Sequence, residues 1–144
     1  MIAIRRLEPG DRADWERLFR GYIEFYERSL EPAVYERSWS RLLADDDIHA
    51  RGAWLDERLV GIAHFLVHPH TNAADVCYLQ DLFTAPEARG RGVARQLIAH
   101  ITDWARERGC SSLYWQTKAS NERARRLYDR VAENRGFIVY HVAL

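Results

Sequence analysis

Apolar residues recur at helical spacing in four stretches of the chain. The first stretch follows Asp11, and the second starts at Pro32, a residue that suits the first turn of a helix. The third runs from about residue 91 to 108. The fourth begins at Asn121 or the serine before it, and one face carries Ala124, Leu127, Tyr128 and Val131. The pattern predicts four amphipathic helices.

Six further segments are rich in strand-forming residues, and they lie at 2–7, 48–55, 58–67, 75–83, 111–117 and 137–144. The order β-α-α-β-β-β-α-β-α-β is typical of an α/β fold. Short turns between the early strands predict antiparallel pairing, and helices between the later strands predict parallel pairing through right-handed crossovers. We therefore expect one mixed, twisted sheet of six to seven strands with helices on both faces.

Composition narrows the class of protein. The 144 residues show no repeat or linker, which predicts one domain over residues 1–144. Lys plus Arg and Asp plus Glu both number 21, so the balance favours neither a nucleic-acid nor a membrane partner. Cys77 and Cys110 have no metal-ligand spacing and are expected to be small core residues, which together with an early charged segment predicts a cytoplasmic location.

A loop rich in glycine and arginine precedes the third helix. In "EARGRGVARQL", glycines would let backbone amides approach an anion at a helix start, and arginines could add charge-assisted bonds. The Gly-Lys-Ser/Thr ending of a Walker loop is absent, and the third glycine of a dinucleotide-binding loop is replaced by Arg95. On these residues alone, an anion site and an ordinary charged helix start both remain open.

Two further motifs decide how this loop is interpreted. "RGRGVA" matches Arg/Gln-x-x-Gly-x-Gly/Ala, and "NERARRLY", followed by Gly-Phe, matches Asn-x-x-Ala-x-x-Leu-Tyr. With the preceding "YLQDLFTAPEA", the chain resembles the GCN5-related N-acetyltransferase superfamily over nearly its whole length. It is most similar to the branch of histone, polyamine and D-amino-acid acetyltransferases.

This resemblance implies a fold, an activity and a cosubstrate. Family members transfer acetyl from acetyl-CoA to a primary amine by direct attack, without a metal. Six residues would hold the CoA pyrophosphate, namely Arg89, Gly90, Arg91, Gly92, Val93 and Ala94. The backbone of Leu82, Phe83 and Thr84 would pair with the pantetheine arm beside a bulge near Asp81–Leu82, and Asn121 would also contact the cosubstrate.

The resemblance also assigns catalytic candidates. Tyr128 matches the tyrosine that protonates the departing thiolate, although its place on an apolar stripe also fits a core tyrosine. Related sequences often have a Glu where this chain has Gln80. Asp81 is the next candidate for the base, either directly or through water, and it could instead orient the amine or brace the bulge.

The acceptor pocket of the superfamily usually lies against the first two helices. Candidates there are Tyr22, Tyr26, Glu27 and Glu31, although helical spacing favours core positions for the tyrosines and solvent for the glutamates. His64, His68 and His70 alternate along one strand, but with no carboxylate or cysteine nearby we expect no metal.

The last predicted strand, "FIVYHVAL", has no hairpin partner after it, unlike many relatives. An edge strand of this kind invites pairing, so we expect a homodimer that uses this region. The leading hypothesis is an N-acetyltransferase acting on a small-molecule amine, polyamine or amino acid rather than on protein lysine. The alternative is a CoA-binding regulatory or interaction domain without activity.

Overall fold

The computed structural model describes residues 1–144. Its strands are β1 (Ile2–Arg5), β2 (His49–Leu55), β3 (Arg58–His68), β4 (Val76–Thr84) and β5 (Ser112–Tyr114). Its α-helices are α1 (Arg12–Phe25), α2 (Pro32–Ala44), α3 (Val93–Glu107) and α4 (Glu122–Val131). The four predicted helices are thus present, and the third lies within two residues of its predicted bounds.

The five strands form one mixed sheet in the order β1-β2-β3-β4-β5. The first four strands pair antiparallel, and β5 pairs parallel to β4 after the α3 crossover, as the connection lengths predicted. Each face of the sheet has its own core. Trp15 of α1 and Trp39 of α2 pack on one face, and Leu97 and Ile101 of α3 pack on the other.

The predicted sixth strand is wrong, and so is the count of six to seven strands. Residues 137–144 make no backbone hydrogen bond and lie outside the sheet. Strand-forming side chains do not produce a strand without a neighbouring backbone to pair with, and no strand of this chain lies alongside. Strand β5 is also shorter than predicted, because β4 and the chain after Tyr114 diverge.

A glycine allows the start of α3 to lie close to the sheet. A Cβ built on Gly61 of β3 would lie 2.6 Å from a methyl group of Val93 and 3.2 Å from one of Leu97. Any larger residue would push the first turn of α3 outward. Close packing at this point therefore sets the position of the glycine-arginine loop relative to β3 and β4.

Candidate active site

The sheet is open along one side of β4. Strand β5 pairs only with Val76–Tyr78, so residues 79–84 of β4 have β3 as their single neighbour. Leu82, Phe83 and Thr84 all lie in this stretch. The hydroxyl Oγ1 of Thr84 is buried and has no hydrogen-bond partner. This edge can therefore offer backbone groups to an extended ligand.

The N-terminus of α3 has the features of an anion site. Gly90 and Gly92 have φ values of 79° and 83°, which favour glycine, and a Cβ on either would have nothing within 4 Å. No side chain caps the helix, and its first turn has no acidic residue. The first amide bonded within the helix is that of Gln96, to the carbonyl of Gly92 at 3.0 Å.

Three amides, those of Val93, Ala94 and Arg95, therefore have no partner within the helix. Arg89 and Arg91 precede them, and neither these two arginines nor Arg95 forms an ion pair in the structure. Unpaired amides, the positive end of the helix dipole and free guanidinium groups together suit a phosphate group.

Asn121 has a structural role of its own. Its Oδ1 accepts a hydrogen bond from the amide of Ala124 at 3.5 Å, and its Nδ2 donates to Oγ1 of Thr117 at 3.2 Å. It therefore caps α4, as the sequence predicted, and joins the helix to the segment after β5.

Two tyrosines, Tyr22 and Tyr26, lie near Asp81, and a third, Tyr128, lies near Tyr26. The ring of Tyr128 lies 5.4 Å from that of Trp115, and burial together with the nearby Tyr26 raises its pKa to about 12. Burial raises the pKa of Tyr22, and the negative charge of Asp81 raises it further. Burial also raises the pKa of Tyr26, with Asp81 a smaller contribution in the same direction. The end of α1 thus lies near Asp81 of β4, and Tyr128 of α4 lies near the end of α1.

A bulge aims Asp81 into the protein. His64 of β3 lies opposite Asp81, whereas the next residue, Phe65, lies opposite Leu79. Gln80 is therefore the extra residue of the bulge, and it is exposed. The bulge falls beside the predicted position near Asp81–Leu82. Oδ2 of Asp81 lies 2.9 Å from Nδ1 of the buried His64.

A cleft of about 510 Å³ lies between the end of α1 and the start of α4. Its lining includes Tyr26 and Glu27 just after α1, Lys118 and Asn121 before α4, and Arg126 within α4. The lining also contains Phe25, Ser120, Glu122 and Arg123. The cleft is mainly polar and carries both signs of charge.

The sequence model of the acetyltransferase (GNAT) family matches residues 14–132. The chain belongs to the GNAT family. It is an acetyl-CoA-dependent N-acetyltransferase. The resemblance noted from the motifs is confirmed.

Similar GNAT proteins act on different amines. The chain is 31% identical to the D-amino-acid N-acetyltransferase HPA3 of Saccharomyces cerevisiae, over 96% of this chain and 89% of that protein. It is 34% identical to the aminoglycoside N(6')-acetyltransferase type 1 of Serratia marcescens, over 66% of this chain and 68% of that protein. The structure of AAC(6')-Iy with the bisubstrate analog CoA-S-monomethyl-acetylneamine has the same fold, with a TM-score of 0.86 at 21% identity over 100% and 99% of the two chains.

The residues predicted to line the acceptor pocket lie in different surroundings in the structure. Tyr22 packs against the core formed by α1 and α2, as expected, and Glu27 and Glu31 are exposed, as expected. The core position expected for Tyr26 is wrong, because its side chain lines the cleft and Lys118 Nζ lies 5.7 Å from its ring centre. Helical spacing locates the inner face of α1 but does not show where the core ends along it.

Sequence reasoning missed the contacts of His64. It considered this residue only as a metal ligand, with His68 and His70. In the structure His68 lies 2.8 Å from the hydroxyl of Tyr114, and no three His, Cys, Asp or Glu side chains are grouped as a metal site. A usable signal was present, because a histidine within the apolar run "GIAHFLV" needs a buried polar partner.

Cys77 is buried in the core, as predicted, and Cys110 packs beside it, half-buried. No helix is both long and apolar enough to cross a membrane.

Proposed function

We propose that this enzyme transfers an acetyl group from acetyl-CoA to the primary amine of a small molecule, by direct attack within a ternary complex. The observation that carries the proposal is the placement of Asp81 on the unpaired stretch of β4, with Tyr22 and Tyr26 near its carboxylate. A cosubstrate along that edge would meet an acceptor in the cleft without a covalent enzyme intermediate. No cysteine faces this region as a nucleophile, since Cys77 is buried in the core and Cys110 packs beside it.

The residues fit acetyl-CoA in two places. The amides of residues 93–95, with Arg89 and Arg91, would hold its pyrophosphate, and the absence of a capping side chain at Gly92 leaves room for it. The edge at Leu82–Thr84 would pair with the pantetheine arm, and the unpartnered hydroxyl of Thr84 supports this assignment. When bound, acetyl-CoA supplies an acetyl thioester whose sulfur must gain a proton as the new amide forms.

Two side chains would move the protons. Asp81 would accept the proton that the attacking amine loses, directly or through a water molecule. The hydroxyl of Tyr128 would donate its proton to the sulfur as the carbon–sulfur bond breaks. Burial that raises the pKa of Tyr128 to about 12 keeps this hydroxyl protonated at neutral pH, as a proton donor must be.

The charges around the cleft favour an acceptor that has a carboxylate as well as an amine. Its lining holds Lys118, Arg123 and Arg126 against Glu27 and Glu122. A polyamine would bring only positive charge to a surface with a positive excess. An amino acid would place its amine toward Asp81 and its carboxylate toward these cations. The D-amino-acid activity named for the yeast relative supports the same class.

A thiol-release assay over matched acceptors tests this proposal. The panel pairs D- and L-amino acids with their carboxamides, and adds spermidine, an aminoglycoside and a histone-tail peptide. We expect turnover with amino acids and a higher KM for the carboxamides. Turnover with the peptide alone would overturn the proposal of a small-molecule acceptor. Spermidine as the best acceptor would overturn the proposal that the acceptor has a carboxylate. If nothing reacts while acetyl-CoA binds, the chain is a silent CoA-binding domain.

The Asp81→Asn variant tests the proposed base. We expect kcat to fall about a hundredfold, because the amide cannot accept the proton. Acetyl-CoA affinity should remain within about twofold of the wild type. An unchanged pH–rate profile in Asp81→Asn would show that this carboxylate is not the base. Gln80→Ala serves as the control, since Gln80 is exposed at the same bulge.

We further propose that two copies of the chain associate through residues 137–144. Six large apolar side chains of this segment are exposed, and they are Phe137, Ile138, Val139, Tyr140, Val142 and Leu144. The backbone of this segment makes no hydrogen bond within the chain. Because β5 is an open sheet edge, a second copy offers the backbone and apolar cover that this segment needs.

Light scattering on the wild type and on a variant truncated after Gly136 tests the dimer. We expect twice the monomer mass for the wild type at micromolar concentration and the monomer mass for the truncated chain. A monomeric wild type would contradict the proposal. A cytoplasmic location and the absence of nucleic-acid or membrane partners stay predictions.

A further inference from the structure

A buried chain of hydrogen bonds ends on the candidate base. Nε1 of Trp15 in α1 donates to Nε2 of His64 in β3 at 2.9 Å, and Nδ1 of His64 lies 2.9 Å from Oδ2 of Asp81 in β4. Trp15 is fully buried and His64 is 2% exposed. Three elements thus contribute one side chain each to a linear contact that reaches the site.

The chemistry of these donors fixes the histidine tautomer. The indole N–H is only a donor, so Nε2 of His64 must present its lone pair. Neutral imidazole then carries its single proton on Nδ1, and that proton points at the Asp81 carboxylate. Protonating Nε2 would set two donors against each other inside the core. Trp15 therefore occupies Nε2 and directs the single proton of the neutral imidazole to Nδ1, where it faces Asp81.

The groups that face Asp81 are neutral donors, since the hydroxyl of Tyr22 also lies within hydrogen-bonding reach of its carboxylate. Tyr22 and Tyr26 approach the carboxylate from α1, Tyr78 approaches along β4, and no Lys or Arg forms an ion pair with it. The His64 ring is enclosed by Trp15 and by Phe19, whose ring centre lies 5.0 Å away at a nearly perpendicular angle. A cation beside Asp81 would weaken it as a base, whereas a neutral donor orients it at less cost in basicity.

The bulge makes this contact possible. Without the bulge, the register that pairs Phe65 with Leu79 would continue and place Gln80 opposite His64. With Gln80 displaced to the surface, Asp81 occupies that position instead. The bulge therefore selects which of two adjacent side chains meets the histidine.

We propose that His64 is a positioning residue for the reaction: it holds Oδ2 of Asp81 through Nδ1–H and leaves Oδ1 for the acceptor amine, while Trp15 fixes its tautomer. This inference rests on the proposed function of Asp81. His64 itself does not take up the proton of the amine, because its only basic nitrogen is occupied by Trp15.

Trp15→Phe is the sharpest variant, because it keeps an aromatic ring and removes only the N–H donor and part of the ring. We expect kcat to fall about tenfold, as the tautomer is no longer fixed, with KM for both substrates within about twofold. The acidic limb of the kcat–pH profile should move to higher pH, since the carboxylate loses part of its donor.

Trp39→Phe is the matched control. Its ring centre lies 5.0 Å from that of Trp15, and it is also buried, but it makes no hydrogen bond to His64. This variant should lose stability without a change in kcat or in the pH profile. If the two variants behave alike, the contact is a packing feature and the inference is overturned.

Substitutions at His64 test the donor itself. His64→Asn can still present an N–H near the position of Nδ1 and should keep kcat within about threefold of the wild type, whereas His64→Leu should lose about tenfold or more. In an Asp81→Asn background, His64→Leu should cost little further, because the two residues act as one unit. Additive losses would contradict the inference.

A readout independent of activity covers the case in which a His64 variant does not fold. Nitrogen-15 NMR of the wild-type imidazole should show the proton on Nδ1, and in Trp15→Phe that preference should weaken. A proton on Nε2 in the wild type would overturn the inference. A wild type without transferase activity would instead overturn the proposed function, so the two failures can be told apart.

Discussion

Helices α3 and α4 have the same kind of sequence pattern and different surroundings. Five residues of α3 are buried, whereas α4 has none, although both carry an apolar stripe. Helix α3 lies across the sheet and packs against Gly61 of β3. The stripe of α4 packs around Trp115 and reaches Tyr26, and it stays half-exposed. An amphipathic pattern thus specifies which face turns inward, and a neighbour is needed to cover it.

The two helices also carry different parts of the candidate active site. The well-buried helix begins at the proposed phosphate site, and the half-covered helix carries Tyr128. We infer that acetyl-CoA binding depends on the more buried helix, α3, and that proton donation depends on the less buried one, α4. Variants in the two helices test whether stability and catalysis are divided between α3 and α4 in this way.

Leucine truncations on the two helices should show the largest difference. Leu97→Ala in α3 removes a fully buried side chain and should cost about 2–5 kcal/mol of unfolding free energy. Leu127→Ala in α4 removes a half-buried one and should cost about 1 kcal/mol. Urea denaturation measures both. Equal costs would mean that α4 is covered in solution, and repeating the measurement on the chain truncated after Gly136 would identify residues 137–144 as the cover.

Removing the hydroxyl of Tyr128 should affect turnover and spare binding. For Tyr128→Phe we expect kcat to fall about a hundredfold, because the departing sulfur loses its proton donor. The Kd for acetyl-CoA, measured by calorimetry, should stay within about twofold. Tyr114→Phe is the control and should keep its turnover. It removes the hydroxyl of Tyr114 in β5, which is hydrogen-bonded to His68 of β3. Full activity in Tyr128→Phe would leave this residue as a packing tyrosine only.

Alkaline pH should destabilise the fold through Tyr128. Its pKa is about 12 in the folded chain and about 10 when unfolded, so its contribution is complete below about pH 10 and is lost as the pH rises toward 12. The loss should be on the order of 1–2 kcal/mol. In Tyr128→Phe the fall in stability between pH 9 and 12 should be smaller, and the remainder reflects the other phenols and thiols whose pKa burial raises, Tyr22 and Cys77 among them. Parallel curves for the two proteins would contradict the expected burial of Tyr128.

Glycine substitutions at the two ends of α3 should show the smallest effect. Gly92 and Gly109 have φ values of 83° and 79°, so alanine at either position should cost about 1 kcal/mol of stability. Only Gly92→Ala should also weaken acetyl-CoA binding, by about fivefold, because it disturbs the amides that would face the phosphates. Comparable KM values for acetyl-CoA in the two variants would argue against the proposed phosphate site.

Local patterns predicted much of this fold. The spacing of apolar residues located all four helices, because a helix repeats every 3.6 residues and buries one side. Connection lengths predicted the antiparallel and parallel pairings. The segment at 137–144 shows where such reasoning fails. Its side chains fit a strand, but a strand exists only when another backbone is paired with it, and residue types do not specify that partner.

The candidate site was also predicted only in part from the sequence. The motifs were sufficient to mark Arg89–Ala94, Asp81 and Tyr128 as candidates, and to show that Gln80 departs from the family pattern. They did not reveal that Gln80 is displaced by a bulge, that Tyr26 faces a cleft, or that Trp15 and His64 support Asp81. Those contacts join residues from separate elements, and a single sequence carries no direct record of which distant residues meet.

The sequence by itself determined the helices, the mixed sheet, the family and the glycine-arginine loop, because each depends on neighbours within a few turns of chain or on a contiguous motif. The tertiary structure alone decided which carboxyl group meets His64, how far α4 is covered and that residues 137–144 lie outside the sheet. Register and burial are properties of pairs of elements. A shift of one residue between β3 and β4 exchanges Gln80 for Asp81 at the site without changing any local propensity.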